Sequence, residues 1–513
     1  MPSAPIPPAD ASPGTVGFTA MNASDDPLRP EHSPWDARLA WVLCSLMVLA
    51  AVLRIAASCN DLALDEIWTL KLIETYVRHP ADLIRGVMRH DNNHLLNTLW
   101  MYALGPHLHA LVYRLPSAAA GTAAVYAAWL FGKSRGPAAA IACAAVVAID
   151  QVLVHAGSEA RGYGMLSLAT VVAQVALLAG FGQSSDEARP APLVPPWAVA
   201  FNVTVAIGLL AHLTFVIAYA AGLIWSVGRS AFDRRESFGR LVARLAIWHA
   251  APTSILAAIT FGFVRGMQYG RGPRNDFFTA VVETCSAIAG GPLEMPWAYG
   301  VAALTLVAGC LAMASCYRHD RPRAWLMLLS VFLVPAGVYA CFPIAFYAVR
   351  LFQVPAQTLA LLVASEWPSL AGRMKSPLPM VLCGAFVIAN LSRDATLIGR
   401  GRGGYVRAIR HMIDTSPEAS TPVTASCVSD FRTQMLLEYH QATLPCRKVR
   451  LYQDDLPPTG AEWFIIEDHR HGGTAARRIA DRHGNVYGHD LSVRGGGIAP
   501  IHWHLFRRVL ARP

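Results

Sequence analysis

Asp65 and Glu66 stand side by side at the start of an amphipathic segment, where Ile67, Leu70, Ile73 and Val77 recur at helical spacing. Such a pair can cap a helix and suit its dipole, or supply a general base. A second polar cluster follows at His90-Asp91-Asn92-Asn93-His94. A third, Ser158-Glu159-Ala160-Arg161-Gly162-Tyr163, falls at the end of an apolar run. A fourth, Tyr347-Ala348-Val349-Arg350, precedes another. Glu159 and Arg161 are two apart, so on a helix they face different partners. The simpler roles are a solvated loop, an aromatic anchor at Tyr163 and a snorkelling arginine at Arg350.

Acids, histidines and arginines gathered at one membrane face suit one reaction class, the transfer of a sugar from a polyprenyl phosphate. Phosphate is a good leaving group and needs no general acid, whereas glycoside hydrolysis needs two carboxylates in complementary roles. The transfer needs one carboxylate to take a proton from an acceptor hydroxyl, worth roughly 10²–10⁴-fold in rate. It also needs cations against the phosphate, and arginine supplies them as a bidentate fork. Asp65 or Glu66, with Arg161 and Arg350, meets that requirement.

These residues must be held by membrane helices. Of 513 residues, 54% are apolar and only 15% charged, against about 25% in soluble proteins. Mean hydropathy is +0.36. Disordered, collagen-like and disulfide-scaffold classes are excluded, and a polytopic α-helical membrane protein is expected. All but four of the 43 basic residues are arginines scattered through loops, which is no nucleic-acid footprint. Apolar runs predict eleven spans at 39–57, 115–132, 137–155, 163–182, 197–211, 213–228, 245–263, 297–315, 324–341, 351–365 and 377–391. The stretch 95–111, broken at Gly105-Pro106, reads as a helix lying in or dipping into the outer face. Arginines in 229–244 and 316–323 belong on the cytoplasmic side. Parity then puts the polar tail 1–38 inside. The membrane domain is 39–391, with outer loops 58–114 and 264–296.

Residues 392–513 read as a small extracytoplasmic α/β domain, with helices at 403–414 and 429–442 and strands at 422–428, 447–452 and 462–467. The turn from Gly399 to Gly404 lacks the Lys-Ser/Thr of a phosphate loop and reads as a linker. His469/His471 and His502/His504 are spaced to share a strand face, without a nearby third ligand in sequence. Cys427 and Cys446 lie in the domain placed in an oxidising compartment, where they can pair.

The motifs together resemble the GT-C glycosyltransferases, especially bacterial relatives of protein O-mannosyltransferases and lipid A aminoarabinose transferases. The resembling pieces are Leu64-Asp65-Glu66, His94-Leu95-Leu96, Arg114-Leu115-Pro116-Ser117 and Glu159-Ala160-Arg161-Gly162-Tyr163. Many relatives carry His-Pro-Pro-Leu at the second and Glu-Ala-Arg-Pro-Tyr at the fourth. This chain has Asn92-Asn93-His94-Leu95 and Gly162 instead. The resemblance covers roughly 39–365 and extends in layout to the C-terminal domain. It implies an inverting hexosyl- or pentosyltransferase of the cell envelope, multi-pass in the inner (cytoplasmic) membrane, with Asp65 as base. Glu66 stands beside Asp65 as the other catalytic candidate. Asn93, His94, Glu159, Arg161, Tyr163 and Arg350 are the expected substrate-binding residues. The expected partners are the bilayer, a polyprenyl-phosphate-linked sugar, and an acceptor that is protein, lipid or polysaccharide. No cofactor is certain, and a divalent cation remains open. A transporter or flippase of a lipid-linked sugar, or an assembly factor without catalysis, is the alternative. Inverted repeats and midplane charges would mark the transporter, but the ionisable groups here cluster at one face.

Overall fold

A computed structural model describes residues 34–85, 94–181, 195–232, 237–267, 276–341, 347–417, 422–427, 431–445, 448–452, 455–468, 475–498 and 501–509. Val42–Pro513 form one compact unit. Met1–Trp41 form another, whose described part is the opening of the first helix. The helices are α1 Pro34–Ser58, α2 Leu64–Tyr76, α3 Pro80–Ile84, α4 Leu95–Leu104, α5 Ala110–Lys133, α6 Pro137–Ile149, α7 Gln151–Ala156, α8 Tyr163–Ala176, α9 Pro196–Ala211 and α10 Val216–Phe232. There follow α11 Phe238–Gly262, α12 Phe277–Ile288, α13 Trp297–His319, α14 Arg321–Leu328, α15 Val334–Cys341, α16 Gln353–Ala371, α17 Leu378–Arg400, α18 Tyr405–Thr415 and α19 Phe431–Ala442.

The protein is a polytopic helical membrane protein with a C-terminal sheet domain. Helices stand at all eleven expected spans, and among the described residues seven are long and apolar enough to cross a membrane. The 24 residues of α5 run about 36 Å at 1.5 Å per residue, against a hydrocarbon core of about 30 Å. Its two ends therefore carry different polar clusters. At one end Arg114 meets Glu66. At the other, Arg135 pairs with buried Glu366 at 3.0 Å, and Arg323 donates to Ser134 Oγ at 2.8 Å. The 137–155 run is two helices. Asp150 breaks it and then caps α7, accepting from the Val152 and Leu153 N–H groups. Within the expected loop 264–296, Asp276 caps the unanticipated α12 through the Thr279 N–H at 2.8 Å. The last membrane helix, α17, continues to Arg400, nine residues past the expected end of the span at 391.

The C-terminal strands are β1 Val423–Cys427, β2 Val449–Tyr452, β3 Trp463–Asp468, β4 Arg478–Ala480, β5 Val486–Val493 and β6 His502–Arg508, in the order β2-β1-β3-β6-β5-β4. The first three pair in parallel, and the rest antiparallel. The strands β1 to β3 are where the sequence predicts them. The strands β4 to β6 were not anticipated, for two physical reasons. A register shift between His489 and Leu491 breaks the period-two pattern of β5. In β6 the run His502-Trp503-His504-Leu505-Phe506 is buried throughout, so no alternation exists to read.

This domain is not set apart from the helices beside it. Leu62, Ile67, Leu70 and Ile73 around α2 and Met101 of α4 share one core with Ile409 and Met412 of α18, Leu436 of α19, and Trp463 and Trp503 of the sheet. The Val406 N–H donates to Asp61 at 3.0 Å, which ties α18 to the turn before α2. Sharing that core, α2 lies beneath the sheet domain at one end of the helix bundle.

Candidate active site

Ala63 is the N-cap of α2, so Asp65 occupies the second helical position and is not the cap that its residue type suggests. Glu66, one position on, turns back to accept from the Ala63 N–H at 2.7 Å. Successive helical residues point about 100° apart, and the two carboxylates accordingly enter different surroundings.

Glu66 faces inward and is sealed, its side chain 1% exposed. Oε1 accepts from Arg114 Nε at 2.8 Å and from the Ala160 N–H at 2.6 Å, and Oε2 accepts from Arg114 Nη2 at 2.5 Å. Burial pushes this carboxyl up in pKa, but the Arg114 guanidinium overcomes it and brings it down to about 2. Arg114 also donates to the carbonyls of Ser58, Asn60 and Asp61. One arginine thus fixes the whole α1–α2 turn.

Asp65 faces a more open space, its side chain 38% exposed. Its Oδ2 accepts from Arg161 Nη1 at 2.7 Å and from Arg350 Nη1. Partial burial raises its pKa, and the Arg350 and Arg161 guanidiniums more than reverse that, holding it well below the usual carboxylate range. Arg350 arrives on the short turn before α16, and Arg161 on the loop between α7 and α8.

That loop is held from three sides. Ser117 Oγ of α5 donates to the Arg161 carbonyl, Asn97 of α4 donates to the Ala160 carbonyl at 2.5 Å, and the Ala160 N–H goes to Glu66. Gly162 is pressed against α9, where a Cβ would lie 1.8 Å from the Ala211 carbonyl oxygen. No side chain fits there, which accounts for glycine at this position. Behind Arg161, His94 Nε2 accepts from the Arg161 Nε–H at 2.8 Å, so the neutral ring carries its proton on Nδ1. Burial first, and then Arg161, pushes the His94 pKa well down, which keeps that acceptor available. Tyr163 and His212 pack around the His94 ring, with centroids 5.3 and 4.6 Å away.

Glu159 turns away from Asp65. It lies 3.6 Å from Arg402 Nε and 3.4 Å from His155 Nδ1. Burial raises its pKa, only partly countered by Arg402 and Arg161. Arg402 sits in the turn expected to be a plain linker, yet it is buried and donates to Ser158 Oγ at 2.8 Å.

Asp65, His94, Arg161, Tyr163 and Arg350 therefore come together. Glu66 and Glu159 stand behind them in their own ion pairs. Asn93 lies outside the described residues, as do His469, His471 and Cys446. Three positioning residues, Arg114, Ser117 and Arg402, were not among the expected site residues. The available signal for the first two was their spacing of three, which puts both on one face of α5. Among the described residues no three His, Cys, Asp or Glu side chains gather as a metal site. Asp65 Oδ2 already faces two guanidiniums, a donor set that does not fit a divalent cation.

A membrane bundle carrying a sheet domain on one end, with an arginine-bound carboxylate beneath it, is the arrangement this chain presents. No protein-family model matches the chain, and no curated protein matches it. Among solved structures it is similar to ArnT from Cupriavidus metallidurans bound to undecaprenyl phosphate, at 12% identity over 84% of this chain and 93% of that one, with a TM-score of 0.46. Apo ArnT gives 13% identity over the same shares and 0.47. The Archaeoglobus fulgidus oligosaccharyltransferase in complex with Zn and sulfate is also similar, at 12% identity over 82% of this chain and 68% of that one, with a TM-score of 0.43.

Proposed function

We propose that the protein is an inverting glycosyltransferase that moves a sugar from a polyprenyl-phosphate donor to a hydroxyl acceptor at the outer face of the cytoplasmic membrane. The observation that carries this reading is a half-open carboxylate, Asp65, in contact with the two guanidiniums of Arg161 and Arg350. In this proposal Asp65 stands, before substrate arrives, where a donor phosphate oxygen would later sit.

The donor phosphodiester takes guanidinium N–H groups of Arg161 and Arg350 away from Asp65. Losing those cations raises the basicity of Asp65 at the stage when a base is needed. Asp65 then takes the acceptor O–H proton, and the acceptor oxygen attacks the anomeric carbon. The bond from that carbon to the phosphate oxygen breaks, and the polyprenyl phosphate leaves as a dianion facing both arginines. One displacement inverts the anomeric centre. Glu66 in this scheme positions α2 through Arg114 and takes no proton. His94 orients Arg161, and Tyr163 packs against His94. Glu159, with Arg402, braces the loop that carries Arg161. No step is routed through a metal, because the carboxylate's surroundings are cationic.

The test is transfer of labelled sugar from synthetic polyprenyl-phosphate donors by the full chain in proteoliposomes. Appearance of free polyprenyl phosphate together with glycosylated acceptor supports the proposal. Movement of intact lipid-linked sugar across the bilayer without bond cleavage contradicts it and favours a flippase. The orientation has its own test: a phosphatase reporter after Pro513 should be active, and one at Arg235 silent.

A further inference from the structure

In β6, Trp503 and Leu505 share the core with α18 and α19, so His502, His504 and Phe506 point to the other face of the sheet. On that face Ser492 of β5 stands directly opposite His504, and Asp468 of β3 stands opposite His502. On a regular strand His489 and Ser492, three apart, would point to opposite faces. The register shift between His489 and Leu491 adds one residue and brings His489, opposite Phe506, to the face of Ser492. Two imidazoles thus converge on one hydroxyl. Ser492 Oγ lies 2.8 Å from His504 Nδ1 and 2.7 Å from His489 Nε2. On its far side, His504 Nε2 lies 3.9 Å from Asp468 Oδ2. One arrangement of protons serves all three contacts. His504 carries its proton on Nε2, toward the carboxylate, and its bare Nδ1 accepts the Ser492 O–H. His489 donates its Nε2 proton to the same oxygen. Burial lowers the His504 pKa; Asp468 opposes this, and His489 and Arg494 reinforce it, so the ring is neutral and can take a proton.

We infer that Ser492 is the nucleophile of a second activity, the hydrolysis of a short-chain carboxylic ester, with His504 as its base and Asp468 as the residue that positions His504. A serine whose proton is aimed at a histidine, with a carboxylate behind that histidine, is the arrangement that activates a hydroxyl for acyl transfer. His504 is buried, Ser492 half-buried and His489 exposed, so the base is shielded while the hydroxyl is reached from the surface. Ser492 Oγ bonds to the ester carbonyl carbon as its proton passes to His504 Nδ1. The adduct expels the alcohol oxygen, which takes that proton, and Ser492 is left acylated. A water molecule then gives a proton to His504 and attacks the acyl carbon. The Ser492 oxygen leaves, recovers that proton, and the carboxylic acid departs. Beside His489, Phe464, Tyr487 and Phe506 pack against one another as a buried apolar cluster, so the acyl group that fits is short. No step involves Asp65, and the inference stands apart from the transferase proposal.

The probe is an alkyl fluorophosphonate, which bonds to an activated serine oxygen and releases fluoride. It is applied to the full chain in detergent and located by peptide mass spectrometry, beside hydrolysis of 4-nitrophenyl acetate. One label on Ser492 is expected. Ser492→Ala should lose the label and the hydrolysis together. His504→Gln should slow both by roughly 10²-fold or more, with an unchanged elution profile. Asp468→Asn should slow labelling less and move its pH profile to lower pH, because Asp468 raises the His504 pKa. A carboxylate that only braced the strands would leave the profile where it is. A wild-type chain that takes no label at Ser492, or hydrolysis that persists at the wild-type rate in Ser492→Ala, would overturn the activity. Labelling of His504→Gln at the wild-type rate would overturn the base. An unshifted profile in Asp468→Asn would overturn the part given to Asp468.

Discussion

Two carboxylates one residue apart on α2 show how the same ion pair can serve opposite ends. Glu66 is sealed, and each of its oxygens is satisfied by Arg114 or by a backbone N–H. Asp65 is open to a third party, with both arginines on one oxygen. A buried pair that is fully satisfied costs several kcal/mol to break and has no spare valence for a substrate. A half-exposed pair exchanges partners at far lower cost. Carboxylate plus arginine is therefore no signature of catalysis on its own. The exposure and the unused lone pairs of Asp65 separate the two.

The largest effect expected from this contrast is on stability. Arg114→Leu leaves Glu66 buried without its cation and should cost about 3–5 kcal/mol, read as a fall in apparent Tm of the purified chain. Asp65→Asn should stay within about 1 kcal/mol, because the group is half-exposed and Asn still accepts a hydrogen bond. Equal losses in the two variants would erase the distinction.

The pH dependence sharpens it. The Glu66 carboxyl is lowered from 4.5 to about 2 in the folded chain, so its stabilisation is fully present above about pH 4.5 and is lost as pH falls toward about 2. The apparent Tm of wild type should drop through that window more steeply than that of Glu66→Gln. Parallel curves would show that Glu66 does not carry the acid sensitivity.

Next in size come the arginines of the open cluster. Arg161→Lys and Arg350→Lys keep the charge and lose the fork. Each should raise the donor KM by about tenfold while the protein still reaches the membrane. Unchanged KM in both would make them plain interfacial anchors. The smallest effect belongs to the exposed pair Lys71–Glu438, 3.5 Å apart, which links α2 to α19. A double-mutant cycle in Tm should give a coupling below about 1 kcal/mol, and a larger value would mean that the sheet domain grips α2 through charge as well as core.

Much of this was legible in the sequence, for identifiable reasons. Long apolar runs have few structural alternatives, so helices could be placed at them, and among the described residues seven are long and apolar enough to cross a membrane. Asp65, Arg161 and Arg350 could be grouped because ionisable residues are rare in such runs. The division of labour between Asp65 and Glu66 was not legible. It depends on which way α2 rolls against α5, and a cap at Ala63, not at Asp65, sets that roll. Arg402 reads as part of a glycine-rich linker because its burial depends on contacts with residues more than 200 positions away. The cluster at Ser492 joins residues 468, 489–492 and 504, three segments that share no local pattern.

The most direct measurement of the central claim is sugar transfer by Asp65→Asn in proteoliposomes, beside Glu66→Gln. Asn keeps the shape and the hydrogen-bond acceptor of Asp but cannot take the acceptor's proton. The proposed mechanism predicts a turnover loss of roughly 10²-fold or more for Asp65→Asn, with unchanged elution and apparent Tm. For Glu66→Gln it predicts a loss that tracks the fall in stability. A well-folded Asp65→Asn chain with wild-type turnover would contradict the assignment of the base, and with it the placement of the active site beneath the sheet domain.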